Sequence, residues 1–175
     1  MGFNHVPAGK NLPQDFNVIV EIPMHGAPIK YEVDKESGVL FVDRFMGTSM
    51  HYPCNYGYIP QTLAADGDPV DVLCITPIPL ALGVVIRARA IGVLKMSDES
   101  GQDAKVIAVP IDKICPMTAG IKTLEDIPEL LRRQLVHFFE HYKDLETGKW
   151  VKIEGWGDIK EAEAEILSGL NAKKS

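Results

Sequence analysis

Residues 66–71 read Asp-Gly-Asp-Pro-Val-Asp, three carboxylates in six positions directly ahead of the apolar run Val-Leu-Cys-Ile. Like charges this close raise one another's proton affinity and repel near a surface. The spacing therefore predicts a cation among Asp66, Asp68 and Asp71. A solvated turn is the plainer alternative, since Asp, Gly and Pro are also what turns select. Only oxygens are offered, a donor set that suits hard ions such as magnesium or manganese rather than thiolate-bound zinc. An EF-hand loop for calcium needs an acidic or amide residue fifth, Gly sixth and Glu twelfth. The chain has Val70, Asp71 and Pro77 there, so that reading fails.

Five further sets of side chains could carry chemistry. Asp98 and Asp103 flank a bend between two expected strands, with Lys105 just after; on their own they read equally as a polar hairpin loop. Lys30 and Glu32 are two apart, so on a strand they share a face, and Glu21 can lie near them across a turn. An exposed cross-strand salt bridge is the alternative there. Arg44 shares its strand face with Leu40 and Val42, while Asp43 shares the other with Phe41, so one of the two charges is expected beside apolar neighbours. Guanidinium groups in partly buried sites commonly clamp a carboxylate or phosphate. Tyr142 and Lys143 fall near the end of an expected helix, where a cation suits the dipole, and Tyr52, Tyr56 and Tyr58 read as packing. His137 to His141 fits H-x-x-E-H, which would put two imidazoles on one helical face for zinc; no further ligand is distinguished nearby.

The elements that must position these groups are mostly strands. Phe16–Ile22, Pro28–Asp34 and Gly38–Phe45 alternate like β structure and read as a three-strand meander, with Lys-Glu-Ser-Gly at the second bend. Residues 46–67 have no clean period and are expected as a long ordered loop with one short strand; loops of that length in a compact domain are usually functional. The β signal returns at 70–75, 84–96 and 104–111. Short strands with turns between them suggest a small, strongly curved sheet or barrel. From Thr123 to Glu146, apolar positions 127, 130, 131, 135, 138, 139 and 142 predict one long helix capped by Asp126, and 158–170 predicts a second.

The whole chain bounds the possibilities further. At 175 residues it suits one domain spanning 1–175. Its 46% hydrophobic and 24% charged residues are ordinary for a globular protein. A net charge of −6 disfavours nucleic acid as a partner. No apolar run reaches the roughly 20 residues of a membrane span, the start lacks a signal-peptide pattern, and Val6 stands where a myristoylation motif wants Ser or Thr. Cys54, Cys74 and Cys115 fit reduced thiols, and a cytoplasmic location is expected.

The blocks Ile-Lys-Tyr-Glu-Val-Asp (29–34), Phe-Val-Asp-Arg-Phe-Met (41–46), Tyr-Pro-Cys-Asn-Tyr-Gly-Tyr (52–58), Asp-Gly-Asp-Pro-Val-Asp-Val (66–72), 92–105 and 137–151, in this order, resemble the family I soluble inorganic pyrophosphatases of the short bacterial type. The likeness runs from residue 6 to 156, with 111–124 and the C-terminal tail outside the matching blocks. It implies a mainly β (α+β) fold, a five-stranded OB-like closed barrel with two C-terminal helices. It further implies a homohexamer and hydrolysis of diphosphate to two phosphates with several magnesium ions, manganese or zinc being substitutes. Carried over by position, Asp66, Asp71, Asp98 and Asp103 would hold metal with Glu21 and Glu32 completing the acidic lining. Lys30, Arg44, Lys105, Tyr142 and Lys143 would grip phosphate oxygens. Asp68 would take the proton from the attacking water, with Tyr56 beside it. The residue types make sense of such chemistry: diphosphate resists attack until its charge is neutralised, and phosphoryl transfer needs alignment and charge stabilisation more than a covalent nucleophile. Two alternatives are a non-catalytic OB-type module for oligonucleotides or sugars, and a zinc peptidase built on His137 and His141.

Overall fold

The structure, a computed structural model, describes residues 2–34 and 36–174. Nine strands and two α-helices are found in them: β1 Gly9–Asn11, β2 Asp15–Ile22, β3 Ile29–Val33, β4 Leu40–Phe45, β5 Asn55–Tyr58, β6 Asp71–Cys74, β7 Val85–Asp98, β8 Gly101–Pro110, α1 Glu129–His141, β9 Val151–Gly157 and α2 Ile159–Lys174. Seven strands form one sheet in the order β1-β2-β5-β6-β8-β7-β9, and β2 also pairs with β7. The strands β2, β5, β6, β8 and β7 thus make a five-membered ring, closed along part of β2: Phe16 to Ile19 pair with β7, and Ile19 to Ile22 with β5. The mainly β architecture with two helices agrees with the expectation.

Residues on β6 and β8 alternate between two apolar clusters. Leu73, Ile107 and Val109 pack with Leu135, Phe138 and Phe139 of α1, whereas Val72, Cys74, Val106 and Ala108 pack with Ala162, Ile166 and Leu170 of α2. Burial on both faces explains why these strands read as nearly continuous apolar runs. Two glycines allow the close approaches. A Cβ on Gly57 would stand 1.9 Å from the carbonyl of Ile19, and one on Gly92, at the bulge of β7, would stand 2.5 Å from Leu124 Cγ. Gly57 draws β5 against β2 and so sets where the flanking Tyr56 and Tyr58 project.

Three sequence expectations are corrected. The first three strands are not a meander: β3 and β4 form a separate two-stranded sheet, and β2 pairs with β1, β5 and β7 instead. The bend joining β3 to β4 includes Lys35, which lies outside the described residues. The helix expected from Thr123 begins at Glu129. Asp126 instead closes a capping box with Thr123 on a short 3-10 turn, Leu124–Asp126, and Ile127 is extended ahead of Pro128, as a residue before proline tends to be. Strands β1 and β9 were not expected. The Gly155 and Gly157 of β9 blur the period-2 signal, although β9 pairs with β7 from Asp98 to Val93.

Candidate active site

The ring strands supply one set of functional groups. Parallel pairing of β6 with β8 puts Asp71 opposite Lys105, and Asp103 lies two residues earlier on β8, hence on the same face. The Lys105 ammonium therefore sits between two carboxylates, donating to Asp71 and, at 2.6 Å, to Asp103 Oδ1. From β5, Tyr56 donates its hydroxyl to Asp71 Oδ1 at 2.8 Å. Burial raises the Asp71 carboxyl above its ordinary value, and the Lys105 ammonium opposes that rise. Burial also works against the Lys105 charge, but Asp71 and Asp103 outweigh it and hold the ammonium well above its usual range. Glu21, near the end of β2, is buried and accepts from the Val33 amide at 2.8 Å. Loss of solvent pushes its carboxyl up to about 8, with Asp71 and Glu32 adding to the rise.

The second set comes from the β3–β4 hairpin and from loops. Lys30 and Arg44 are register partners; Lys30 reaches Glu32 at 2.6 Å and Asp43 at 3.5 Å, and Arg44 bonds Asp43 at 2.8 Å and Glu146 at 3.2 Å. The Arg44 and Asp43 side chains are both partly buried, and β3 packs on the core through Tyr31, while Phe41, Val42 and Phe45 of β4 are exposed. Just past α1, Tyr142 stacks on Phe138 and Lys143 bonds Asp98 at 2.8 Å. In the loop before β6, the Asp68 amide donates to Asp66 Oδ1 at 3.0 Å and the Ala64 amide to the Asp68 carbonyl at 2.6 Å. Asp66 thus braces a turn with one oxygen, and both aspartates remain exposed. The turn reading and the chemical reading of these residues coexist.

The thirteen residues that the family resemblance carries over all line one cleft of about 760 Å³: Glu21, Lys30, Glu32, Arg44, Tyr56, Asp66, Asp68, Asp71, Asp98, Asp103, Lys105, Tyr142 and Lys143. The inorganic pyrophosphatase family model matches residues 18–174. This chain belongs to the inorganic pyrophosphatase family. It is 62% identical to the inorganic pyrophosphatase of Ralstonia nicotianae, over 99% of this chain and all of that protein, and 60% identical to that of Escherichia coli over 100% and 99%. Among solved structures, the Coxiella burnetii pyrophosphatase superposes with a TM-score of 0.92 at 54% identity, covering 95% of this chain and 99% of that one. The Thermus thermophilus enzyme superposes at 0.93 and 40%, covering all of both.

The donors in this pyrophosphatase cleft are carboxylate oxygens, which fit a hard divalent cation by their chemistry. Among the described residues, no three His, Cys, Asp or Glu side chains converge closely enough to hold an ion as they stand. The Lys105 ammonium, bonded to Asp71 and Asp103, lies between two of the expected ligands. His137 and His141 are exposed on α1, their rings tilted at 51° with centroids 4.6 Å apart, and His141 is bonded to Asp144 at 2.8 Å; neither lines the cleft.

Sequence reasoning missed several residues that the pyrophosphatase fold brings to the same groups. Asp43 and Glu99 line the cleft as partners of its cations, and Lys149 joins it through Glu99 at 2.5 Å. Glu146 reaches Arg44 from a turn. The Asp43-Arg44 adjacency signalled the first; nothing local distinguishes the others from ordinary turn residues. Tyr52 is packing as expected, buried against Tyr56 and Phe138, yet it also borders the cleft.

Proposed function

We propose that this chain hydrolyses inorganic diphosphate to two orthophosphates by direct attack of water, without a covalent intermediate. The observation that carries the reading is the convergence on one cleft of acidic and basic side chains from β2, β3, β4, β6, β7, β8 and loops, with Tyr56 of β5 beside them. Asp66, Asp71, Asp98, Asp103, Glu21 and Glu32 would hold divalent cations, magnesium first among them, with manganese or zinc as substitutes. Such ions neutralise diphosphate oxygens and lower the pKa of water. Lys30, Arg44, Lys105, Tyr142 and Lys143 bind the phosphate oxygens, the lysines and the arginine exchanging carboxylate partners for substrate. Asp68, exposed on its loop, takes the proton from the attacking water. Tyr56 orients Asp71 through its hydroxyl. The test is phosphate release from diphosphate by purified protein in magnesium and then in excess chelator. Rapid, magnesium-dependent release is expected, and none with either magnesium or manganese would overturn the reading.

The protein works in the cytoplasm as a homohexamer in this proposal. Phe45, Ile78, Met117 and Leu145 are exposed apolar side chains that contacts between copies would cover. His137 and His141, exposed on α1, are candidates for a contact between copies. Sedimentation is expected to give six times the chain mass, and a monomer would overturn this part alone.

A further inference from the structure

The β3–β4 hairpin carries Lys30 and Arg44, yet it shares no ladder with the main sheet. A lone two-stranded hairpin is marginally stable in water, whereas phosphate-binding groups misplaced by about 1 Å can cost two orders of magnitude in rate. Something must hold the hairpin in place. Tyr31 packs on the core, Arg44 at the open end reaches Glu146, and at the turn end Glu21 accepts from Val33. A further restraint at the turn end comes from the beginning of the chain.

There the amide of Phe3 donates to the Gly38 carbonyl at 2.7 Å and Asn4 Nδ2 to the Glu36 carbonyl at 3.3 Å. The packing is close: a Cβ on Gly2 would stand 2.4 Å from the Ser37 carbonyl, and one on Gly38 would stand 2.9 Å from Asn4 Cγ. The Phe3 ring and Leu40 of β4 both border Gly83, each 3.3 Å from where its Cβ would be. On its other side the same segment is gripped by the loop before β6, where Gln61 Nε2 donates to the Asn4 carbonyl at 2.7 Å. Gln61 holds φ at +60°, a left-handed conformation that non-glycine residues seldom adopt and that persists where the surroundings fix it. It lies five residues before Asp66, on the rim of the cleft.

We propose that residues 3–5 are a strap joining the β3–β4 hairpin to the loop that bears Asp66 and Asp68. Gln61 is its anchor, a positioning residue that holds Lys30 and Arg44 in register with the carboxylates. The kinetic half of this inference rests on the diphosphatase reading; the mechanical half does not. Gln61→Gly releases both the left-handed strain and the bond to Asn4 while leaving every charged group of the cleft in place. Phe3→Ala loosens the strap from the hairpin side instead.

The test is hydrogen exchange of the full chain without metal or substrate, followed by steady-state kinetics with magnesium and diphosphate. In both variants, exchange across 29–45 is expected to quicken at least ~5-fold while 101–110 stays as in the parent. The KM for diphosphate is expected to rise roughly 5- to 10-fold with kcat within about twofold, a split that general destabilisation does not produce. Unchanged exchange in the hairpin would overturn the strap. Faster exchange with an unchanged KM would overturn the positioning role. If the parent protein releases no phosphate, the diphosphatase reading and the positioning role fall together, and the exchange comparison still decides whether the strap exists.

Discussion

The two halves of the cleft differ in how they are built. Tyr56, Asp71, Asp103 and Lys105 stand on ring strands buried on both faces, and the Lys105, Asp71 and Asp103 side chains keep only 6%, 15% and 16% of their exposure. Arg44 on the hairpin keeps 32% and Glu32 50%, and Asp66 and Asp68 are exposed on a loop. Charges in the strand half interact at low dielectric, so their pairing bears on whether the chain folds. Arg44, Glu32, Asp66 and Asp68 are more exposed to water, and their charge pairs contribute less to stability. The buried residues therefore serve folding as well as the proposed chemistry, whereas exposed ones such as Asp68 serve the chemistry alone, and substitutions can separate the two.

The largest separation is expected at Asp68. As the proposed base, its Asn variant should lose roughly 100- to 10,000-fold in kcat. Its stability should stay within about 0.5 kcal/mol, since the side chain is exposed and Asn keeps the turn chemistry. Wild-type turnover in pure Asp68→Asn protein would remove Asp68 from the mechanism. The opposite pattern is expected at Lys105. Lys105→Met leaves Asp71 and Asp103 facing each other without their shared cation and should destabilise the chelated protein by about 3 to 5 kcal/mol. Urea denaturation in chelator reads this directly, and a loss below ~1 kcal/mol would show that the buried half is not held as described.

The same division governs what was legible in the sequence. Asp66, Asp68 and Asp71 declared themselves because their chemistry sits in one short loop. The apolar runs at 70–75 and 104–111 gave β6 and β8. Their parallel pairing, which brings Lys105 to Asp71 across 34 residues, has no local signature. Lys30 and Glu32 were legible as a strand pair. The detachment of their hairpin was not, since alternation reports a strand's period and not its neighbour. Pro128 could have placed the start of α1, because it biases Ile127 away from helix; the apolar period across 127–142 masked it. Glu146 and Lys149 reach the site from turns, where charged residues are too common to stand out.

Glu21 joins the two halves, standing on β2 while bonding Val33 of the hairpin, and it gives the smallest and sharpest test. Its carboxyl is raised from 4.5 to about 8, chiefly by burial, so the folded chain binds that proton more tightly than the unfolded chain does. The stability this proton contributes is complete below the unfolded pKa and is lost as pH rises through the folded value. In chelator, the parent protein should therefore weaken between pH 5 and pH 8. Glu21→Gln keeps the Val33 bond and carries no charge, so it should lack this share of the slope and be more stable than the parent by about 3 kcal/mol at pH 7. It should also lose activity if the carboxylate helps to hold magnesium. In that case the parent releases a proton on binding the ion, and its apparent affinity for magnesium rises between pH 5 and pH 8 while that of the variant rises less. Superimposable stability profiles for the two proteins in chelator would show that burial does not hold a proton on Glu21.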